Sequence, residues 1–252
     1  MLNNNYNALL TVRTSSTRLP RKCFLPFGKS NILNHVAKRA VNGGINPIIC
    51  TSNDKSDDEI QDFCKENNLQ YFRGSLENKL KRWLSCANHF NLVDFHTIDV
   101  DDPFFDPLQV KESINLLREK NLDIIHPSQI SSNGAASVGY SIKSEFLNSN
   151  QTIINKMDYI EMIDSFLIQF KDLKEEVLIS KFPDFSNIRL TLDYIEDYNL
   201  LTFVLQELGP NCSRENIGEI FKRNPDLYKI NWFRNLDWSS NQNLIRSKQG
   251  AI

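Results

Sequence analysis

The sequence predicts an α/β protein: a largely parallel sheet covered by helices on both faces. Apolar runs of strand length alternate with amphipathic stretches of helix length from Ala8 onward. The intervening stretches are long enough for right-handed crossovers between parallel strands. Charged loops follow the first and fourth strand-like runs, at the sheet edge where such folds hold ligands.

Ala8 to Val12 is an apolar run that reads as a buried first strand. Ser30 or Asn31 can cap a helix in which Ile32, Leu33, Val36, Ala37, Ala40 and Val41 recur at helical spacing, and Gly43-Gly44 ends it. Pro47 to Thr51 gives the second strand. Ser56-Asp57-Asp58-Glu59 has a capping-box pattern and opens a helix that buries Ile60, Phe63 and Cys64 and stops near Asn67-Asn68. Leu69 to Phe72 is the third strand. Leu76 to Phe90 is the next helix, with Leu80, Trp83, Leu84 and Ala87 inward, and Val93 to Ile98 is the fourth strand.

Val110, Ile114 and Leu117 mark a further helix, and Ile124-Ile125 and Ser137 to Ile142 are short strands, with Asn133-Gly134 a turn. The spacing of Ile160, Ile163, Phe166, Leu167 and Phe170 predicts a helix that packs on the body or on a partner. Ile188 to Leu192 is expected as a late strand, and Leu200 to Leu205 as a helix stopped by Gly209-Pro210. With no internal repeat and no linker-like tract, residues 1–252 read as one domain.

A formal charge of −2 gives no reason to expect nucleic acid or an anionic membrane as partner. The first six residues lack the basic start and apolar core of an export signal, and no apolar run approaches the ~20 residues of a membrane span. A cytoplasmic protein is expected. Five cysteines, Cys23, Cys50, Cys64, Cys86 and Cys212, are odd in number, widely spaced and without a CxxC pair, so they read as reduced core residues.

The loop after the first strand carries Arg13, Arg18, Arg21 and Lys22 among Ser15, Ser16 and Thr17. Cations packed this closely repel one another unless an anion sits among them, and the hydroxyls add donors; a triphosphate suits the site, with a solvated charged turn as the alternative. The fourth strand ends in Asp99-Val100-Asp101-Asp102-Pro103, with Asp106 close by, and Asp193 follows Leu192, with Glu196 and Asp197 beyond. Carboxylates at a crevice suit Mg²⁺, which takes one or two of them and completes its shell with water and phosphate oxygens. Asp-rich turns also form for local reasons, because Asp side chains bond backbone amides. The scattered histidines, His35, His89, His96 and His126, and Trp83 on its helix face are read as structural; Trp232, Phe233 and Trp238 are read as covering a surface or a dimer interface.

Read as Arg13-x-x-Ser16-x-Arg18-x-Pro20-x-Lys22 with Pro26, Gly28 and Lys29, the opening loop resembles the nucleotide-binding loop of the CMP-sugar cytidylyltransferases. That family includes the enzymes activating Kdo and sialic acids and the spore-coat polysaccharide proteins of the SpsF type. Thr51-Ser52, Phe72-Arg73-Gly74-Ser75, Asp101-x-Pro103 and Arg189-Leu190-Thr191-x-Asp193 with Glu196-Asp197 match in order, so the likeness spans most of residues 8–205.

The resemblance implies a Rossmann-like, GT-A-like three-layer αβα fold with a mostly parallel mixed sheet. It also implies transfer of a cytidylyl group from CTP to an acidic sugar, Kdo- or sialic-acid-like, with Mg²⁺ as cofactor and pyrophosphate released, for surface polysaccharide biosynthesis. On that likeness Arg13, Ser16, Arg18 and Lys22 hold the triphosphate, and Thr11, Val12, Ser52 and Arg73 complete the nucleotide site. Asp101 and Asp193 bind the metal, and Arg13, Lys22 and Asp101 are the catalytic set, with Lys22 exposed. Residues 6–130 are then the nucleotide-binding half, 131–180 a sugar-binding and dimerisation segment expected to build a homodimer through Ile160 to Phe170, and 181–252 the part holding the second metal acid and C-terminal helices. Ser15, Arg21, Cys23 and Val100 depart from the family pattern, and Asn133 to Gly139 lacks the acids many relatives place there. A DxD-type glycosyltransferase using Asp99-Val100-Asp101 and a nucleotide-binding relative without turnover are the alternatives.

Overall fold

In the first strand, β1 (Asn7–Thr11), successive side chains point to opposite faces: Ala8 and Leu10 enter one hydrophobic core and Leu9 another. A strand with two apolar faces must be covered on both, so this alternation sets a three-layer arrangement. The computed structural model describes residues 5–127, 139–170, 172–179 and 187–249. After β1, the short pair β2 (Pro26–Phe27) and β3 (Ser30–Asn31) leads into α1 (Ile32–Asn42), where Asn31 is the cap and accepts from the Asn34 amide. Then β4 (Asn46–Ser52), α2 (Asp58–Glu66), β5 (Tyr71–Gly74), α3 (Lys79–His89), β6 (Asp94–Asp99) and α4 (Pro107–Glu119) alternate as expected.

β4 and β6 flank β1 in parallel, and β5 extends the sheet beyond β4. The chain builds to one side of β1 and then crosses to the other, so the carboxyl ends of β1 and β6 border the point where strand order reverses. Thr11 pairs with Asp99 there. Beyond α4 come β7 (Ile124–His126), β8 (Ser141–Lys143), α5 (Ser144–Ser149), α6 (Gln151–Lys156), α7 (Asp164–Leu167) and β9 (Glu175–Val177). β8 runs antiparallel between β6 and β7, and β9 parallel to β7, giving the seven-stranded order β5-β4-β1-β6-β8-β7-β9. At Gly139 φ is 88°, and a Cβ would stand 1.7 Å from the Thr97 carbonyl oxygen, so glycine alone lets the chain reach β6 at this point.

The chain ends in α8 (Ile195–Leu208), α9 (Arg214–Arg223) and α10 (Arg234–Gln249). α1, α2, α4, α8 and α9 fill the core on the Ala8 face; α3, α5, α6 and the stretch Ile160 to Leu167 fill the core on the Leu9 face. The five cysteines are buried and unpaired, and no helix among the described residues is long and apolar enough to cross a membrane.

Four expectations are corrected. Ile188, Leu190 and Leu192 are buried as a strand's inward residues would be, yet they form no ladder; the Leu192 amide donates to the Asp101 carbonyl instead, at 2.7 Å. The helix over Ile160 to Phe170 is one turn, α7, and its apolar residues face the body, with Ile160 bridged to Asn78. The capping-box reading fails because Asp54 caps a short turn over Lys55–Asp57, which frees Asp57 for another task. Of the expected strand Ser137 to Ile142, β8 keeps the end; residues 137 and 138 and the Asn133-Gly134 turn lie outside the described residues.

Candidate active site

Val12, 5% exposed, is the last apolar residue of the opening run, and the chain then turns into the basic loop. The turn is anchored from below. The Thr14 amide and hydroxyl both donate to Asp57 Oδ1, at 2.8 and 2.9 Å, while Ser52 Oγ donates to Asp57 Oδ2. Asp57 is fully buried, so three donors fix one carboxylate and thereby the start of the loop. A short turn over Lys22–Phe24, entered through Arg21 at φ 54°, then folds Lys22 back over the strand ends.

There the loop meets the acids. Lys22 Nζ donates to Asp101 Oδ2 at 2.6 Å, to Asp193 Oδ1 at 3.0 Å and to the Leu192 carbonyl at 2.7 Å, and Arg18 donates to Asp193 Oδ1 at 2.6 Å. Arg13 donates to the Leu76 carbonyl and, at 2.9 Å, to Glu161 Oε2. These groups line one cleft of about 380 Å³ together with Thr11, Val12 and Ser16. On its other wall Lys79 pairs with Asp99 at 3.2 Å, and Trp83 Nε1 donates to Thr11 Oγ1 at 3.0 Å. Tyr140 and Tyr159 face it, and Trp238, Asn241 and Gln242 of α10 close it.

The charges are unequally shared. Burial pulls the Lys22 ammonium down, but Asp101 and Asp193 outweigh it, so its pKa is raised and it stays charged. Burial pushes Asp193 up, and Lys22, Arg18 and Arg189 together bring it below its ordinary value. Asp101 has Lys22 alone against burial, Asp193 and Asp99, and its pKa is raised. Asp193 is further held by the fully buried Arg189, which donates to its Oδ2 at 3.2 Å and to both oxygens of Asp197.

Two carboxylates converging on one ammonium are also a fit for Mg²⁺. Mg²⁺ takes one or two carboxylates and completes its shell with phosphate oxygens and water; among the described residues no group of three or more His, Cys, Asp or Glu gathers.

Of the residues expected at the site, Thr11, Val12, Arg13, Ser16, Arg18, Lys22, Asp101 and Asp193 line the cleft. Ser52 and Arg73 do not. Ser52 is buried on Asp57, and Arg73 donates to the Ser52 and Asp54 carbonyls and Gln61 and pairs with Asp58, tying β5 to α2. Arg21 turns outward to Glu59, and Asp106 caps α4 by accepting from the Leu108 amide. Lys22 is not exposed: its side chain is 14% accessible. Trp83 is buried in the core on the Leu9 face, as read, and also borders the cleft; Trp238, read as covering a surface or a dimer interface, is buried against the cleft. Lys79, Tyr159, Glu161 and the α10 residues were not foreseen; a Lys four residues before a Trp, at a helix start following a strand end, is the signal that marks Lys79.

A family model described as cytidylyltransferase matches residues 8–133. The spore coat polysaccharide biosynthesis protein SpsF of Bacillus subtilis (strain 168) is 25% identical over 240 residues, covering 86% of this chain and 94% of the relative. A cytidylyltransferase from Leptospira borgpetersenii serovar Hardjo-bovis superposes with TM-score 0.78 at 23% identity, over 89% of this chain and 96% of the other. A CMP:2-keto-3-deoxy-manno-octonic acid synthetase complexed with CTP superposes with TM-score 0.58 at 11% identity, over 81% and 99%. The two structural likenesses show the shared fold.

Proposed function

The chain belongs to the cytidylyltransferase family, and on that premise we propose that it transfers the cytidylyl group of CTP to a hydroxyl of an acidic sugar, releasing pyrophosphate, to supply surface polysaccharide synthesis. The observation that carries this is Lys22 bound to Asp101 and Asp193 at the switch point, with Arg18 beside it and Arg13 on the same loop. Cations on a polyanion's path and acids for a divalent ion meet at one strand end. The relationship to SpsF supports the polysaccharide setting.

In such a transfer the acceptor oxygen attacks the α-phosphorus, its bond to the bridging oxygen breaks, and pyrophosphate leaves with the electron pair while the hydroxyl proton is lost to water. The protein's work is positioning and charge neutralisation. Arg13, Ser16 and Arg18 bind the triphosphate. Lys22, freed from the carboxylates by the arriving phosphates, offsets charge on the leaving group. Asp101 and Asp193 would hold Mg²⁺, which when bound supplies neutralisation at the α-phosphate and a lowered pKa for the attacking hydroxyl. α10 and the aromatic wall exclude water from the reacting atoms.

A pyrophosphate-release screen of four nucleotides against octulosonic and nonulosonic acids tests the reading. It expects release with CTP and at least one acid in the presence of Mg²⁺. Release with another nucleotide alone, or none with any pair, contradicts it.

A further inference from the structure

Outside the phosphate loop the cleft carries a second cation with its own support. Lys79, the first residue of α3, has a side chain only 13% exposed, with its ammonium 3.2 Å from Asp99 Oδ1 and 5.2 Å from the centroid of the Trp83 ring. Trp83 is fixed to β1 through Thr11. Asp99 and Asp101 stand two residues apart at the end of β6, at most about 7 Å along the chain. Lys22 rests on Asp101 and Lys79 on Asp99. The end of β6 thus engages two ammonium groups on two different acids, one from the loop and one from the opposite wall.

On the reading given above, we infer that Lys79 and Asp99 form the acceptor subsite, where the Lys79 ammonium binds the carboxylate of the sugar acid. Asp99 accepts from a neighbouring sugar hydroxyl. Lys22 serves the leaving pyrophosphate, so Lys79 on the opposite wall is the little-exposed cation left for a group of the acceptor. Asp99 beside Lys79 repels a polyanion, so this wall suits a single carboxylate flanked by hydroxyls rather than more of the triphosphate. The ammonium has three donors and the carboxylate about four lone-pair sites, so the pair can bind each other and the ligand together. Burial lowers the ammonium's pKa, but Asp99 and Glu161 outweigh it and Lys79 remains charged. The cleft's other cation outside the loop, Arg246, lies exposed at the rim.

The test is calorimetric, on wild type, Lys79→Met and Lys79→Arg, with a CTP analogue bridged by methylene between the α- and β-phosphorus. Each protein is titrated with Kdo and N-acetylneuraminate and with their methyl esters. Wild type is expected to prefer at least one acid over its ester by about 10-fold or more, Lys79→Met to lose that preference, Lys79→Arg to keep part of it, and analogue affinity to change by no more than about 2-fold. No preference in wild type, or a preference that survives in Lys79→Met, overturns the subsite. So does an analogue affinity that falls as far as the acid's, which would put Lys79 on the triphosphate. Pyrophosphate release with CTP itself is read separately: its absence with the acid preference intact defeats the cytidylyl reading and leaves the carboxylate subsite standing.

Discussion

At Lys22 the loop and both acids meet, and the consequences of changing each partner differ. Asp101→Asn keeps a hydrogen-bonding group and leaves Lys22 its bond to Asp193, so the fold holds. Turnover of CTP is expected to drop by at least about 100-fold if the carboxylate carries the metal; near-normal steady-state rates would remove Asp101 from that role. Lys22→Ala takes away the cation that Asp101 and Asp193 share, and Asp193 is 3% exposed at its side chain. Asp193 keeps Arg18 and Arg189, so the acid left without its cation is Asp101, 27% exposed at its side chain, and this variant is expected to lose about 1–3 kcal/mol in urea unfolding as well as affinity for CTP. Loss of affinity with unchanged stability would show that the lysine is as free as a solvent-exposed loop cation.

The β1 loop depends on Asp57, an anchor contributed by the next crossover. Asp57→Ala strands the Thr14 amide and the Ser52 hydroxyl, a cost of about 2–4 kcal/mol. Because the loop start is then free to shift, KM for CTP should rise by about 10-fold or more. Thermal unfolding and initial-rate kinetics on the same preparation check both parts. Apart from the short pair β2–β3, the strands and helices from Ala8 to Glu119 were legible because each has a clear period and a sharp stop, such as Gly43-Gly44. Ile188 to Leu192 has the period of a strand, but alternation reports burial and not ladder partners, and here loops supply the partners. Asp57 fits a cap pattern locally; its real contacts are with Thr14 and Ser52, which no local rule pairs with it. Arg73 follows a strand end like a ligand-binding residue, yet position along the chain does not say which way a side chain turns. C-terminal helices were expected, but the bounds of α10 and its place on the cleft were not legible: a helix lining a polar cleft carries Asn241 and Gln242 where a core helix would carry apolar residues, so its pattern is weak.

Across the whole molecule the site is assembled from both halves of the chain. The matched segment 8–133 brings the basic loop, Asp99 and Asp101; Glu161, Asp193 and α10 come from beyond it. α10 is tied to the second acid, since Arg189 also donates to Asn235 and Arg234 pairs with Glu196. Stability of this assembly is linked to pH through His35, packed between Phe27 and Phe104 with Nε2 3.0 Å from the Pro103 carbonyl. Burial pulls its pKa down from 6.5 to about 4, with Arg39 adding to the fall and the Pro103 contact opposing it. The unfolded chain therefore binds this proton first: the contribution is complete above pH 6.5 and is lost as pH falls toward 4, by about 3 kcal/mol. His35→Gln should flatten that part of the urea-unfolding profile between pH 7 and 4.5, and an unchanged slope would assign it to other groups.

The most direct measurement follows the label of CTP carrying ³²P at the α-phosphorus, incubated with Mg²⁺ and a sugar acid that supports pyrophosphate release. Transfer of label to a CMP-sugar, one per pyrophosphate formed, is the predicted result. Label that passes straight to free CMP with no CMP-sugar formed, or release of a nucleoside diphosphate from an added sugar nucleotide instead, would contradict the assignment of the basic loop and its two acids to cytidylyl transfer.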